Sequence, residues 1–242
     1  TGNIVTGKVT WDWVPALNKA DGGPRLGYDK LQPRPARKVR VLAISAGKAI
    51  ASTVTDHAGA YTLAVPKGAK LKVRVLAELR GEGQAKTANS GEVCDGAHYA
   101  VRVVDNTNGK SLYAIEGPEI TAPKKGHNLH APLAHDGKSY TKRQAAPFAI
   151  LDACLRSVET VCQGDPKVVL PLLTVNWSVN NANVTGSKAK GEIGPANHFT
   201  TEFGAGQLYL HGKENVTTAE YNSHVVVHEF GHYLERFLYR SN

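Results

Sequence analysis

Residues 225–234 read VVVHEFGHYL, and this stretch decides how the rest of the chain is interpreted. In a helix, the four-residue spacing places the imidazoles of His228 and His232 on one face, where they can share a metal ion. Glu229 lies between them and is placed to take a proton from a water molecule at that metal. A random chain of this composition would contain the HExxH pattern about 2% of the time, so the surrounding residues have to support the motif.

The residues around the motif predict a long and largely buried helix. Thr217, Thr218 and Glu220 supply a hydroxyl cap and an acid in the first turn, and no proline follows before Arg240. Histidines and a glutamate inside a buried helix are unfavourable unless they are satisfied, and a metal would satisfy them. The alternative is a buried helix whose histidines bond to neighbouring backbone. Gly231 costs about 1 kcal/mol relative to alanine, which indicates that another backbone or a substrate strand comes close.

The composition indicates two domains with hydrophobic cores. The chain has 242 residues, 41% of them hydrophobic, and no apolar run long enough to span a bilayer. It begins at Thr1 and contains no methionine, which is consistent with a removed signal peptide or with an engineered start. We expect an exported protein, in the periplasm, at the cell surface or secreted.

The formal net charge is +8. The basic residues are spread through turns and strand edges, as in residues 34–38 and 123–125, and no aromatic residues alternate with them. We therefore expect a solvated basic surface and no nucleic-acid partner.

For an exported protein with three cysteines, we expect one disulfide and one free thiol. Cys154 and Cys162 lie in a segment with helical spacing, and eight helical residues rise about 12 Å, too far for a bond unless the helix unwinds near residues 164–166. Cys94 is the third. The pairing stays open.

The first 118 residues predict an antiparallel β-sandwich, because short alternating segments are separated by turn residues such as Asp56 and Gly59. The predicted strands are residues 4–14, 38–44, 49–55, 60–65, 71–77, 99–104 and 111–115.

Residues 35–41 (PARKVRV) and 55–66 (TDHAGAYTLAVP) resemble the carboxypeptidase-regulatory, or transthyretin-like, sandwich. The resemblance covers roughly residues 3–80. It implies a structural or adhesive accessory module without catalytic groups.

Residues 119–143 lack periodicity and predict a connecting loop, in which three histidines are more simply solvated than metal-bound. They are His127, His130 and His135. From residue 144 onward the pattern predicts a zincin-like α+β subdomain: a helix over 145–161, a strand over 168–177 and the motif helix.

Residues 206–212 predict a short edge strand above the motif helix that pairs with an extended substrate. Gly204 and Gly206 would allow the close approach of a backbone. On that strand, Tyr209 and His211 are candidate substrate-binding residues.

Residues 220–235 (EYNSHVVVHEFGHYLE) resemble a group of exported bacterial zinc metallopeptidases, departing at Asn222, where aspartate is usual. The likeness extends to residues 104–107, 112–114, 176–178, 191–194 and 208–212. It implies a gluzincin-like enzyme that binds Zn²⁺ through His228, His232 and a glutamate on a following helix.

The third ligand is not evident in the chain. A metzincin would need glycine and histidine where Glu235 and Leu238 stand. His224 lies one turn before His228 but some 6 Å further along the axis, which favours a supporting role, and Glu235 is the other in-chain candidate for support or ligation. We expect the completing glutamate beyond Asn242, and hence an incomplete subdomain over residues 144–242.

Two functions remain open from the sequence. The first is a zinc endopeptidase acting on peptides or proteins outside the cytoplasm, with Glu229 as general base. The second is a non-catalytic exported binding or assembly protein whose metal helix is vestigial or structural.

Overall fold

The computed structural model describes residues 3–18, 20, 25–83 and 94–238. Over these residues the protein is mixed α and β, dominated by strands, with two α-helices. The strands in chain order are β1 (Asn3–Trp13), β2 (Ala16–Leu17), β3 (Arg25–Leu26), β4 (Gln32–Pro35), β5 (Val39–Ser45), β6 (Lys48–Val54), β7 (Ala60–Val65), β8 (Lys70–Glu82), β9 (His98–Asp105), β10 (Ser111–Leu112), β11 (Ala114–Glu116), β12 (Ile120–Thr121), β13 (Leu129–Ala131), β14 (Leu133–His135), β15 (Tyr140–Arg143), β16 (Leu173–Trp177), β17 (His198–Glu202) and β18 (Ala205–Leu210). The helices are α1 (Ala146–Gly164) and α2 (Ser223–Leu238).

The chain divides into two compact units, each built from two segments. Unit 1 comprises Thr1–Leu76 and Ala114–Ala149, and unit 2 comprises Ala77–Tyr113 and Ile150–Asn242. This division differs from the predicted boundaries at residues 118 and 143. The predicted boundaries followed chain order, whereas pairing across the sheets assigns residues 77–113 to unit 2 and residues 119–143 to unit 1.

In unit 1, β1 is the central strand of its sheet. It pairs antiparallel with β7 along residues 3–8 and with β4 along residues 10–13, and it pairs parallel with β13 along residues 9–11. The parallel pair departs from the purely antiparallel arrangement that the sequence predicted. It also shows that the predicted loop over 119–143 is wrong, because β12, β13, β14 and β15 all lie there.

Strands β5 and β7 and the first part of β8 follow the predicted alternation, whereas β6 is exposed or half-exposed along its whole length. β5 and β6 form an antiparallel hairpin, and β7 matches its predicted range. The turn before β7 is fixed by Asp56, whose Oδ1 accepts hydrogen bonds from the amides of Ala58 and Ala60, both at 2.8 Å. The inward-facing side chains are buried, namely Val39, Val41, Ala43, Tyr61, Leu63, Leu71, Val73 and Val75.

In unit 2, β16 is the middle of three parallel strands. It pairs parallel with β9 on one side and with β18 on the other, and β17 adds to β18 antiparallel. β17 is thus the outer strand of this part of the sheet, and β18 is interior. The prediction that residues 206–212 form the edge is wrong. β17 escaped the sequence analysis because HFTTE is short and only weakly apolar.

Helix α2 packs against β17 and β18 on one sheet face. Gly206 makes this possible, because a Cβ there would stand 3.0 Å from the ring of Tyr233 and 3.2 Å from Leu173. Phe199 of β17 meets the same ring edge-on, with centroids 6.1 Å apart. Since side chains alternate along strands, Leu208 and Leu210 share this face and Tyr209 points to the other.

Candidate metal site

Helix α2 begins later than the sequence predicted. Its first residue is Ser223, and the cap is Asn222, whose Oδ1 accepts a hydrogen bond from the amide of Val225 at 3.4 Å. Glu220 is buried and accepts the indole N–H of Trp177 at 3.3 Å, so it belongs to the turn before the helix. The asparagine that departs from the resembling group is therefore still a competent cap.

The prediction that α2 is largely buried is wrong. Its buried residues are Val226, Glu229, Phe230 and Tyr233, which form one stripe against the sheet. His224, His228 and His232 are exposed. Burial therefore does not by itself require a metal at the histidines, and the case for one rests on their geometry.

The geometry of His228 and His232 fits a shared tetrahedral ion. Their ring centroids are 4.9 Å apart and their planes are nearly perpendicular, at 85°. With Zn–N bonds of about 2.0–2.1 Å, two imidazoles on one tetrahedral ion would have centroids about 5 Å apart. The separation of the two rings is compatible with joint ligation.

Glu235 supports the second imidazole. Its Oε2 lies 3.1 Å from Nδ1 of His232, with both side chains well exposed. A hydrogen bond donated by Nδ1–H to this carboxylate leaves Nε2 deprotonated and free to bind a metal. The structure thus places the Glu235 carboxylate where it could orient the His232 ring.

Glu229 differs from the histidines in being almost wholly enclosed. Only 7% of the residue is accessible, and within the described residues its carboxylate has neither a hydrogen-bond nor an ion-pair partner. A partnerless carboxylate next to two exposed imidazoles is available to accept a proton. A Cβ on Gly231 would meet nothing within 4 Å, so the close backbone approach expected from this glycine is not seen within the described residues.

A third metal ligand does not join this pair within the described residues. No group of three or more His, Cys, Asp or Glu side chains that could hold a metal occurs there. His224 is exposed in the first turn of α2. The described chain thus supplies two imidazole donors and one supporting carboxylate.

The structure does not bring Tyr209 and His211 to these residues. Tyr209 points to the sheet face away from α2, where it stacks on His198 and lies beneath the ammonium of Lys188, 4.0 Å from the ring centroid; burial raises its pKa. His211 is buried, with Nε2 2.9 Å from the carbonyl oxygen of Gly194. Their role as substrate-binding residues is therefore not supported by position.

A buried amide cluster at the carboxyl ends of the three parallel strands went unrecognised in the sequence. Asn106 and Asn181 exchange side-chain hydrogen bonds at 2.8 and 2.9 Å. Asn181 also donates to the carbonyls of Asn176 and Leu210. These bonds fix the loops after β9, β16 and β18. The asparagine run at 180–183 was the available signal, and it predicted only a turn.

The cysteines pair as Cys94–Cys162, with Cα atoms 5.3 Å apart, and Cys154 is free and buried. Burial raises the pKa of the Cys154 thiol, so it stays protonated. The expected one bridge and one free thiol are confirmed.

The histidines of the predicted loop have separate environments. His127 is buried, and both burial and Lys124 lower its pKa. His130 contacts Asp12 at 3.0 Å and Thr10 at 2.8 Å. His135 stacks on Tyr28. The expectation that these histidines are solvated is therefore wrong for His127. His130 and His135 make side-chain contacts that it did not include.

Comparison with known proteins gives no family. No protein-family model and no curated protein matches the chain. Among solved structures, a 9R-lipoxygenase from Cyanothece PCC8801 matches with a TM-score of 0.28 and 11% identity, over 69% of this chain and 23% of that one. The chain spans about a quarter of that structure's length, and at this TM-score the likeness carries no argument about chemistry.

Proposed function

We propose that the protein is a zinc-dependent metallopeptidase that hydrolyses peptide bonds in peptides or proteins. The observation that carries this proposal is the arrangement on α2. Two exposed imidazoles have ring centroids 4.9 Å apart, and beside them lies the nearly buried Glu229, whose carboxylate has no partner within the described residues. HExxH on a helix is the arrangement in which zinc peptidases hold their metal and their general base.

Each residue of the proposed site has a separate role. His228 and His232 would hold Zn²⁺ through neutral imidazole nitrogens, and Glu235 fixes the tautomer of the second. The ion, when bound, would acidify water and polarise the scissile carbonyl. Glu229 accepts a proton on its carboxylate from the attacking water and returns it to the leaving amine nitrogen. A glutamate outside the described residues would complete the ligand set.

The element order of unit 2 supports a zincin-like layout. After the strands β9 and β10, unit 2 contains most of α1 and then β16, β17, β18 and α2 in chain order, with the antiparallel β17 as the outer strand beside α2. We assign the substrate-pairing edge to β17, because its outer backbone groups are free to add an extended peptide as a further strand. Unit 1, with its paired sheets of alternating strands, is assigned as the transthyretin-like sandwich.

Export is supported by the Cys94–Cys162 disulfide, because such bonds persist mainly in oxidising compartments. No helix among the described residues is long and apolar enough to cross a membrane.

A second candidate is a non-catalytic exported binding or assembly protein. It is favoured by the absence of a three-donor metal group within the described residues. In that case α2 would bind metal weakly or serve only as a packing element of the sheet.

The deciding experiment measures bound zinc and hydrolysis of unstructured peptides by the chain and by Glu229→Gln. Glu159→Gln on α1 is the matched control for loss of a carboxylate. We expect zinc binding in all three proteins and a loss of about 10²–10⁴-fold in hydrolysis for Glu229→Gln alone. Hydrolysis that is unchanged in Glu229→Gln would contradict Glu229 as the general base. Zinc binding with no hydrolysis, even by a chain that carries the completing glutamate, would favour the binding protein instead.

A further inference from the structure

The positive charge of the chain is confined to one unit. Unit 1 contains 18 Lys and Arg against 7 Asp and Glu, a net charge of +11. Unit 2 contains 11 Lys and Arg against 14 Asp and Glu, a net charge of −3. An even distribution would need no explanation beyond solubility, but a separation of this size indicates a surface on unit 1 that meets anions.

Three chain segments come together at one end of a unit 1 sheet. The hydroxyl of Ser45, at the end of β5, donates to the carbonyl of Lys70, at the start of β8, at 2.7 Å. The turn between β7 and β8 is joined to the segment after β12 by two backbone bonds, from Gly68 N to Ala122 O at 3.2 Å and from Ala122 N to Ala69 O at 3.0 Å. The β5–β6 turn, the β7–β8 turn and the residues after β12 are therefore neighbours.

These segments carry five exposed lysines, which we call the lysine end: Lys48, Lys67, Lys70, Lys124 and Lys125. None of their ammonium groups has an ion-pair partner within the described residues. Residues 45–48, 66–70 and 121–125 contain no acidic residue.

The acidic group on β11 next to these strands is already occupied. Glu116 binds Lys72 at 3.1 Å and Arg74 at 2.6 Å, and these two cations lower its pKa. Glu116 is therefore engaged by cations on β8 and not by the five lysines. The turn tips are open as well, because a Cβ on Gly47 or Gly68 would meet nothing within 4 Å.

We propose that the lysine end is a docking surface for an anionic phospholipid bilayer. Its cations are all lysines, which act as flexible point charges, whereas recognition of a single phosphate or carboxylate in fixed geometry favours arginine forks. The three segments contain no aromatic residue on which a nucleic-acid base could stack. Loop tips at one end of a unit can meet a planar surface together, and clustered lysines near an anionic membrane add their attractions.

The test measures sedimentation of the full chain with vesicles in 0.1 M salt. Vesicles of phosphatidylcholine with 30% phosphatidylglycerol are compared with phosphatidylcholine alone. Lys67→Gln/Lys124→Gln/Lys125→Gln removes three charges from the lysine end, and Lys38→Gln/Lys138→Gln/Lys142→Gln removes three from elsewhere in unit 1. The thermal midpoint of each variant verifies that it folds.

We expect binding to the anionic vesicles only. Each lysine removed from the lysine end should weaken it about fivefold, or about 100-fold for the triple variant. The control should weaken binding by no more than about threefold, because in 0.1 M salt charges beyond about 10 Å are largely screened.

Equal losses in the two triple variants, or no sedimentation of the unaltered chain with anionic vesicles, would overturn the proposal. The proposal would also be overturned if duplex DNA, at an equal phosphate concentration, displaced the chain from the vesicles. That result would identify a soluble polyanion as the partner of the lysine end.

Discussion

Helices α1 and α2 differ in how much of their surface is buried and in whether their buried acidic residue has a partner. From Ile150 onward α1 is buried at Ile150, Leu151, Asp152, Ala153, Cys154, Leu155, Val158 and Cys162, and its one buried carboxylate, Asp152, is bonded to Arg156 at 2.6 Å. Helix α2 is buried along a single stripe, and its enclosed carboxylate, Glu229, has no partner within the described chain. A helix that only supports the fold satisfies its polar groups, whereas one that leaves them open indicates a site.

The largest expected effect lies on the buried stripe of α2. Phe230→Ala should lower the free energy of unfolding by about 3–5 kcal/mol, because the fully buried ring leaves a cavity. Leu155→Ala in α1 should cost about 2–5 kcal/mol for the same reason. Urea unfolding measures both. Val227→Ala, at a residue 42% exposed on α2, is the control and should change stability by less than about 0.5 kcal/mol. A similar cost for Val227 and Phe230 would remove the distinction between the two faces.

The open face of α2 should show the opposite pattern. His228→Ala or His232→Ala should weaken zinc binding by at least about 100-fold, since each removes one of the two proposed ligands. Without metal, the stability of either variant should stay within about 0.5 kcal/mol of the unaltered chain, because the side chains are exposed. Zinc titration by calorimetry measures the affinity. His224→Ala is the control; an equal loss there would make His224 a ligand.

A smaller effect is expected at the supporting carboxylate. Glu235→Ala should weaken zinc binding about 10–100-fold by freeing Nδ1 of His232. Glu235→Gln keeps an acceptor oxygen and should recover part of the loss. Unchanged affinity in Glu235→Ala would show that the 3.1 Å contact does not orient the ring.

The smallest effect concerns a polar anchor under α2. The hydroxyl of Tyr233 donates to the carbonyl of Pro171 at 2.6 Å, and burial raises its pKa, so it remains a donor. Tyr233→Phe should cost about 1 kcal/mol in urea unfolding and leave zinc affinity unaltered. A change in zinc affinity would mean that the buried stripe and the open face of α2 are coupled.

Local sequence patterns correctly predicted the strands and helices that depend mainly on interactions between residues close in the chain. The alternation of residues 60–65 gave β7 as observed, and the motif helix and α1 were both located to within a few residues. The four-residue spacing of His228 and His232 was enough to place their rings together, because helix geometry alone dictates it.

The errors have a common physical cause, which is pairing between distant segments. The local sequence of residues 129–131 contains no signal for their parallel pairing with β1, which lies 120 residues earlier in the chain. Likewise, the position of β18 inside the sheet depends on β17, a strand too weakly patterned to detect. The exposure of α2 was misjudged because Val225 and Val227 look apolar in sequence, while the sheet covers only one side of the helix.

The Cys94–Cys162 bond has a consequence for handling the protein. It closes a covalent ring across a sequence separation of 68, and that ring contains the whole 114–149 segment of unit 1. In the chain-entropy view a ring of this size restricts the unfolded chain by about 4 kcal/mol. A protease nick anywhere within the ring, for instance in the exposed turn at residues 136–138, would leave both fragments tethered. Such a cut would be visible only on a reducing gel.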